Sequence, residues 1–585
     1  GGLSGMASLY LSLRRAESCH GGREATKCEG RTETWRTFLL RVKTITAALQ
    51  ALGVRAGSRV GILAKNSDIF LQYMYAVAEI KAVFVPINIR WSTQEIHFAI
   101  QDSSICVLIL ETELAQKVST LLQDLAAKPC NLVVVLLGSK GSEEEQLRVL
   151  KAKIPDIPVF THNQILLRRQ TGSEETNLEG AMSTTASVED VSTVIYTSGS
   201  EGKPKGVMLT HQNQIVQAME KINQVEYSEE TRYLNAVPMF HVGGISSAIA
   251  VTMVGGTHVF LPKFDPKKFF KCIVDEKITT LVVVPSMLSL LVKDIERRKQ
   301  QPGSSCEITE FPTIYTILVG GQAMTPDLLS ACEKIFPQAN FIQTYACSEA
   351  CSSISFALIG GYKLRRKVED SVGAVKFSLQ PRIGFDVSGE EVKGFAVGRP
   401  AHHVEICIVD EKFNFLPIRK VGLICTRGPH VMLGYLNQPD KTRRVLRNGW
   451  LLIGDYGFLD LDGNLCFVSR NSERINTGGE KLYATEVESV LRSHPEVKQV
   501  AVFGLADPHM GEVVCAAVIP SSPVAHTAEA NIEHRLQEFC RSQLSKFKVP
   551  RKVIVWKDPE FPTNSSGKIM KHMIKENVSG QRCRM

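Results

Sequence analysis

The sequence predicts an α/β fold, and three patterns carry that prediction. Short β-branched runs, such as residues 132–137 and 191–196, read as buried strands. Stretches with apolar residues at helical spacing lie between such runs. The two alternate along the chain, which implies parallel sheets with helices packed on both faces.

Residues 34–53 have helical spacing and end at Gly53. A strand is expected at 59–64, a helix at 68–80 and a strand at 83–87. Residues 280–284 and 316–319 are further strands, each preceded by a helical stretch. Residues 138–147 (GSKGSEEEQL) and 170–189 lack periodicity and read as surface loops. Residues 361–395 also read as irregular, with Lys363, Arg365, Arg366 and Lys367 near their start. After about residue 400 the pattern turns to short strands and turns, and a smaller α/β unit begins near residue 472. There is no internal repeat.

A chain of 585 residues exceeds one ordinary hydrophobic core, so roughly three to five domains or subdomains are expected. An apolar fraction of 44% and a charged fraction of 22% are those of a soluble globular protein. No apolar run approaches the roughly 18 residues of a transmembrane helix. The net charge of +8 is spread along the chain, which favours anionic ligands. Without an aromatic-interleaved basic patch, nucleic acid is not the expected partner. Fifteen cysteines form no CxxC pair or zinc-spaced cluster, so reduced thiols in an intracellular compartment are expected. Cys347 and Cys351, four apart, fit one helix face better than a metal site. Residues 1–30 are expected to be a poorly defined N-terminus. The terminal Cys583-Arg584-Met585 has the small–basic–aliphatic form of a degenerate peroxisomal signal.

The strongest local signal is YTSGSEGKPKGV at 196–207. A β-branched strand runs into a loop with three glycines, three aliphatic hydroxyls and two lysines. Glycine allows close backbone approach, and successive N–H groups form an anion nest. Thr197, Ser198 and Ser200 add hydroxyl donors beside Gly199 and Gly202. Lys205 adds a point charge worth about 4 kcal/mol to a phosphate in contact at an effective dielectric of about 20. This is not a Walker A loop, which needs GxxxxGK[ST]. Residues 207–209 read as a returning strand and a helix starts near Thr210, so the loop is hairpin-like.

That segment resembles the phosphate loop of the adenylate-forming acyl-CoA synthetase superfamily, with Glu201 in place of a threonine. The resemblance runs from about residue 30 to 575. PMFHVGG at 238–244 resembles the family's segment lining the acyl pocket, which puts His241 there. GGQAM at 320–324 resembles the loop under the adenine, with Gly320 and Gly321. QTYACSEA at 343–350 resembles YGxTE, so Gln343, Thr344, Tyr345 and Ser348 fall at the nucleotide and Glu349 at a magnesium ion. Ala346 replaces the usual glycine and Ser348 the usual threonine. The stretch at 449–465 places Asp455 at the ribose, with Ile453 replacing a threonine. DLDGN at 460–464 reads by itself as a β-turn. The stretch at 469–488 places Arg470 at the ribose, Ser472 at an interdomain hinge, and Gly478 and Gly479 where pantetheine passes. Glu473 and Arg474 disturb the usual charge pattern. FPTNSSGKIMK at 561–571 resembles the terminal PxTxxGK motif, which makes Lys568 the adenylation lysine.

The resemblance implies a large adenylation (AMP-binding) domain over 31–471, built of parallel-sheet α/β subdomains plus a small β-barrel-like part. A small mobile C-terminal α+β domain over 472–585 follows. It implies ATP, Mg2+ and coenzyme A as co-substrates and cofactor. Lys568, Glu349, Lys205 and His241 are then the catalytic set. The acid is first joined to AMP with loss of pyrophosphate, and CoA thiol then attacks the mixed anhydride, with the small domain rotating between the steps.

Three stretches, at 88–92, 241–265 and 345–356, resemble the 2-succinylbenzoate–CoA ligases of photosynthetic eukaryotes, which serve phylloquinone synthesis. The second carboxylate of such an acid needs donors, and Ser246, Ser247 and His241 are the candidates, with Gly320 in the pocket wall and Arg90 a weaker candidate. A ligase for another aromatic or medium-chain acid and a non-catalytic nucleotide-binding relative are the alternatives. The assembly expected is a monomer or homodimer, in chloroplast, peroxisome or cytosol.

Overall fold

The computed structural model describes residues 8–127, 131–138, 140–167, 187, 189–197, 204–300, 309–364, 381–386, 389–470, 473–477, 480–507, 510–522, 529–544, 546–563 and 569–582. The chain forms two compact units, one of residues 1–379, 398–406 and 426–451, the other of 380–397, 407–425 and 452–585.

In the first unit an eight-stranded sheet runs in the order Gly434–Tyr435, Lys205–Thr210, Val191–Thr197, Val83–Pro86, Arg59–Leu63, Val107–Glu111, Val133–Leu137, Val159–Thr161. Its middle and far strands are parallel, while Lys205–Thr210 is antiparallel to both neighbours. The β-branched runs form this sheet because both faces are covered: Leu108, Leu110, Val134 and Leu136 are buried on one face, and Val107, Ile109 and Val135 on the other. Helix Trp35–Ala51 begins in a capping box at Thr34, and helix Asp68–Glu79 at Ser67, whose side chain accepts from Phe70 N–H.

The second sheet of this unit includes Thr257–Phe260, Arg232–Asn235, Thr280–Val283, Thr316–Val319 and Asn340–Cys347, all parallel to their neighbours in that series. Ser352–Gly361 returns antiparallel to Asn340–Cys347. Parallel strands put all their C-terminal ends on one edge, where α/β sheets bind ligands. His241, Gly320 and Glu349 each lie just beyond such an end.

In the second unit, Arg382–Phe385 pairs antiparallel with Glu391–Pro400, and Trp450–Leu459 with Leu465–Arg470. Phe458 packs where Gly384 and Gly394 leave no side chain: a Cβ there would come within 2.6 and 2.7 Å of its ring. A further sheet runs Glu480–Tyr483, Arg474–Thr477, Gly511–Pro520, Val497–Asp507, with Lys552–Val555 parallel to Gly511–Pro520. One of its faces buries Val487, Leu491, Val500, Val502 and Leu536, the other Phe503, Val513, Phe561 and Ile574.

Four expectations are corrected. Residues 8–30 are ordered: helix Leu9–His20 buries Leu9, Leu13 and Ala16, and Glu24–Cys28 pairs with Thr257–Phe260. Residues 140–147 are not loop but the start of helix Lys140–Lys153, whose Glu143 accepts from Gly138 N–H at 3.1 Å. Within 361–395, residues 382–385 and 391–395 are strand, because the sheet supplies the partners that periodicity did not reveal. Cys347 and Cys351 do not share a helix face: Cys347 ends a strand, and Cys351 has left-handed backbone (φ 53°) after a single 3₁₀ turn. The Asp460 turn forms as expected, its carboxylate Oδ1 accepting from Asp462 and Asn464 N–H. Most of 170–189 and the terminal Cys583-Arg584-Met585 lie outside the described residues.

Candidate active site

The expected hairpin is present. Thr197 ends one strand and faces Lys205, which opens the next. Gly206 fits a tight space here: a Cβ would come within 3.0 Å of Val194 Cγ1 and 3.1 Å of the Tyr196 ring. Tyr196 is pinned at its far end, its hydroxyl donating to Asp102 Oδ2 at 2.7 Å. Ser198, Gly199, Ser200, Glu201 and Gly202 lie outside the described residues, as do Ser472, Gly478, Gly479 and Lys568.

The returning strand ends at Thr210, which caps helix His211–Val225 through a capping box with Asn213. This helix turns a polar face inward, and each polar group holds a different segment. Asn213 Nδ2 donates to Pro429 and Val431 carbonyls at 2.8 and 2.9 Å. Gln214 Nε2 donates to Ser192 and Thr193 hydroxyls, in the strand that leads to Thr197. Gln217 Nε2 donates to the carbonyls of Ala350 and Ser353 at 3.1 and 2.6 Å, on either side of the turn that follows Glu349.

Glu349 sits in the 3₁₀ turn Ser348–Ala350 after strand Asn340–Cys347. Its carboxylate Oε1 accepts from Tyr435 hydroxyl at 2.8 Å, and its carbonyl accepts from Met432 N–H at 2.9 Å. The Lys205 ammonium lies 5.5 Å from the centroid of the Tyr435 ring. A hard carboxylate oxygen beside a lysine suits a magnesium ion shared with phosphates, so Glu349 fits the metal role. Tyr345 is half-buried and Ala346 exposed at the end of the same strand.

Two neighbouring positions are committed to structure. Gln343 Oε1 accepts from Met324 N–H at 2.9 Å, tying the Gly320–Gly321 loop to the strand. Gly321 has φ +84°, a conformation that favours glycine. Thr344, expected at the nucleotide, donates its hydroxyl to Ser355 carbonyl at 2.9 Å across the sheet.

On the acyl side, His241 precedes helix Val242–Val254, and its Nε2 is buried without a hydrogen-bond partner among the described residues. Burial, then the charge of Arg90, pushes its pKa down to about 4, so the imidazole is neutral. Gly244 lets the helix start close to Pro238, whose carbonyl oxygen would be 2.5 Å from a Cβ. Ser246 and Ser247 are the candidate pocket donors, and the Ser246 hydroxyl donates to Val242 carbonyl at 2.8 Å. Both are buried, and their hydroxyls accept from Lys221 Nζ at 2.6 and 3.1 Å. Lys221 itself is buried, and burial holds its pKa down at about 7.

In the second unit, Asp455 and Arg470 are direct cross-strand partners, so the two residues assigned to ribose stand side by side. Glu473, a departure from the family pattern, is matched by Lys571, whose ammonium lies 3.1 Å from it and 2.8 Å from buried Glu488. Its charge is therefore paired.

A family profile described as AMP-binding enzyme matches residues 13–436. The chain belongs to the AMP-binding enzyme family. The C-terminal domain profile of the same family matches residues 486–568. A 2-succinylbenzoate–CoA ligase, chloroplastic/peroxisomal, from Arabidopsis thaliana is 32% identical, over 97% of this chain and 96% of its own length. One from Bacillus cereus (strain ZK / E33L) is 29% identical over 95% and 96%. The o-succinylbenzoate CoA synthetase of Bacillus subtilis, solved with its acyl-adenylate intermediate, matches with TM-score 0.71 at 25% identity, covering 97% of this chain and 98% of that one. The same enzyme with ATP and magnesium ion also has TM-score 0.71 at 25% identity, covering 96% and 99%.

Three residues with evident roles were missed from sequence: Gln217, Lys221 and Tyr435. The first two belong to a stripe (His211, Gln214, Gln217, Lys221) at the spacing of a buried helix face, which was the available signal. Tyr435 lies in a turn-rich stretch with no periodicity and gave none.

Proposed function

We propose that this chain is an AMP-forming acid–CoA ligase that activates 2-succinylbenzoate. The reaction joins the acid to AMP, releases pyrophosphate, and passes the acyl group to coenzyme A. The site observation that supports adenylation is the meeting of the Glu349 carboxylate, the Tyr435 hydroxyl and the Lys205 ammonium at the C-terminal edge of parallel strands. The substrate assignment rests on similarity along the chain's length to relatives that bear that name.

Residue roles follow from chemistry. Thr197, Ser198, Gly199, Ser200, Gly202 and Lys205 take the phosphates, and magnesium, when bound at Glu349, neutralises charge on them. Gly320, Gly321, Tyr345 and Ser348 border the adenine, and Asp455 and Arg470 take the ribose hydroxyls. Gln343 and Thr344 act by fixing these segments. Lys568 bridges the substrate carboxylate and α-phosphate as negative charge builds between them. Ser472, Gly478 and Gly479 serve the thioester step. Neutral His241 lines the acyl pocket and donates or accepts one hydrogen bond without bringing a charge. The compartments to test by imaging the tagged full chain are those in the Arabidopsis relative's name.

The test is product analysis. The purified chain is incubated with ATP, Mg2+, CoA and a panel of acids, and products are identified by mass. The expected product is 2-succinylbenzoyl-CoA, reduced about 100-fold or more in Lys568→Ala, the range for removing one group that stabilises transition-state charge. Thioester formation from supplied acyl-adenylate should survive that substitution. Another acyl-CoA would overturn the substrate, and acyl-AMP without thioester would overturn the acceptor.

A further inference from the structure

We propose that Tyr435 is a positioning residue of the nucleotide site: its hydroxyl orients the Glu349 carboxylate for the divalent cation while its ring face seats the Lys205 ammonium. The proposal deepens the adenylation reading and rests on it for the identity of the metal–nucleotide ligand.

The geometry starts from the chain. Gly434–Tyr435 is a two-residue strand that pairs with the strand carrying Lys205, Tyr435 facing Val207. The pairing extends on both sides, with Leu433 N–H donating to Met208 carbonyl and Leu436 N–H to Gly206 carbonyl. Tyr435 N–H is held by Thr442 Oγ1 at 2.9 Å, and Gly434, at φ +154°, admits the Thr442 side chain, which would be 2.8 Å from a Cβ. The tyrosine backbone is therefore fixed from three directions, and the residue is 6% exposed.

From that base one aromatic side chain touches two charged groups of opposite sign. The hydroxyl reaches Glu349 Oε1 at 2.8 Å, and the ring face lies 5.5 Å from Lys205 Nζ. A phenol hydroxyl is a donor to a carboxylate oxygen, which can only accept when ionised. A phenol bound to one carboxylate oxygen fixes the torsion of the glutamate and leaves lone pairs for a cation. The ring quadrupole attracts the ammonium. Glu349 is tied a second time, by Met432 N–H to its carbonyl, three residues before Tyr435. The same short segment therefore sets the backbone and the side chain of the metal-binding glutamate.

The roles separate by substitution. Tyr435→Phe keeps the ring and removes the hydroxyl, whereas Tyr435→Leu removes both. The experiment measures Mn2+ binding to the full chain saturated with ATP, by electron paramagnetic resonance, and metal-free ATP binding by calorimetry. Tyr435→Phe should weaken Mn2+ binding about fivefold or more, the scale of one charge-assisted hydrogen bond, with metal-free ATP binding within about twofold. Tyr435→Leu should weaken both. In a Glu349→Gln background the Phe substitution should have no further effect on Mn2+. Equal Mn2+ affinity in parent and Tyr435→Phe overturns the proposal. So does an undiminished Phe effect in the Glu349→Gln background, which is the signature of a general fold defect. If the parent binds MnATP but makes no product from any acid, the proposed function fails and the binding comparison still decides the role of Tyr435.

Discussion

Helices His211–Val225 and Val242–Val254 pack together and are both deeply buried, yet they are opposite in chemistry. The second buries an unbroken run from Gly244 to Thr252, mostly small and aliphatic. The first buries His211, Asn213, Gln214, Gln217, Glu220 and Lys221. A buried amide costs stability wherever its hydrogen bonds are not made. Here the amide N–H groups donate to the Val191–Thr197 strand, the turn after Glu349 and the segment at 429–431 that leads to Tyr435, while Gln214 Oε1 and Gln217 Oε1 have no hydrogen-bond partner among the described residues. The apolar helix is a wall whose contribution is volume. The polar helix is a clamp that sets the spacing of segments carrying the site.

The largest expected effect tests the wall. Ile249→Ala removes a fully buried side chain and should destabilise the fold by about 2–5 kcal/mol, read as a shift in denaturation midpoint. The Mg2+ requirement of the folded fraction should be unchanged, and a raised requirement would break the contrast between the helices.

The clamp should respond differently. Gln217→Met keeps volume but removes the donor to two carbonyls, at about 1–3 kcal/mol each, offset in part by removing an Oε1 without a partner among the described residues, so a loss of about 2–4 kcal/mol is expected. Here the Mg2+ concentration for half-maximal adenylation should also rise, because the turn holding Glu349 is released. Destabilisation with an unaltered Mg2+ profile would make Gln217 mere packing.

Lys221 gives a smaller, pH-dependent signal. Its pKa falls from 10.5 to about 7 on burial, opposed slightly by Cys351. Between those values the unfolded chain binds more protons at this site than the folded chain. Stability therefore rises with pH through the window, by at most about 1.4 kcal/mol per pH unit. Lys221→Met should remove that slope. Melting curves of the two proteins from pH 7 to 9.5 check it, since other titrating groups cancel in the difference, and parallel curves would contradict it.

The same contrast explains what could be read from sequence. The two strands and the helix within residues 191–225 were legible because β-branched runs and a capping threonine each act locally. The order of motifs carried the family. Helix Lys140–Lys153 was hidden by Gly141, Ser142 and three consecutive glutamates, although Leu147 and Leu150 reach the core. The order of residues 8–30 had a signal in Leu9, Leu13 and Ala16 at helical spacing, too short to weigh alone. The partner of Ser246 and Ser247 was not legible because a hydroxyl's partner is set by tertiary contact, here with a lysine 25 residues before Ser246. Tyr435 was invisible for the same reason, since Glu349 lies 86 residues away.

The central claim is that this chain makes an acyl-adenylate from 2-succinylbenzoate. The direct measurement is exchange of labelled pyrophosphate into ATP, with Mg2+ and each acid in turn, in the absence of CoA. The account predicts exchange that depends on 2-succinylbenzoate and is lost in Lys568→Ala. Exchange that is absent with every acid while ATP still binds, or that is equally fast in Lys568→Ala, would contradict it.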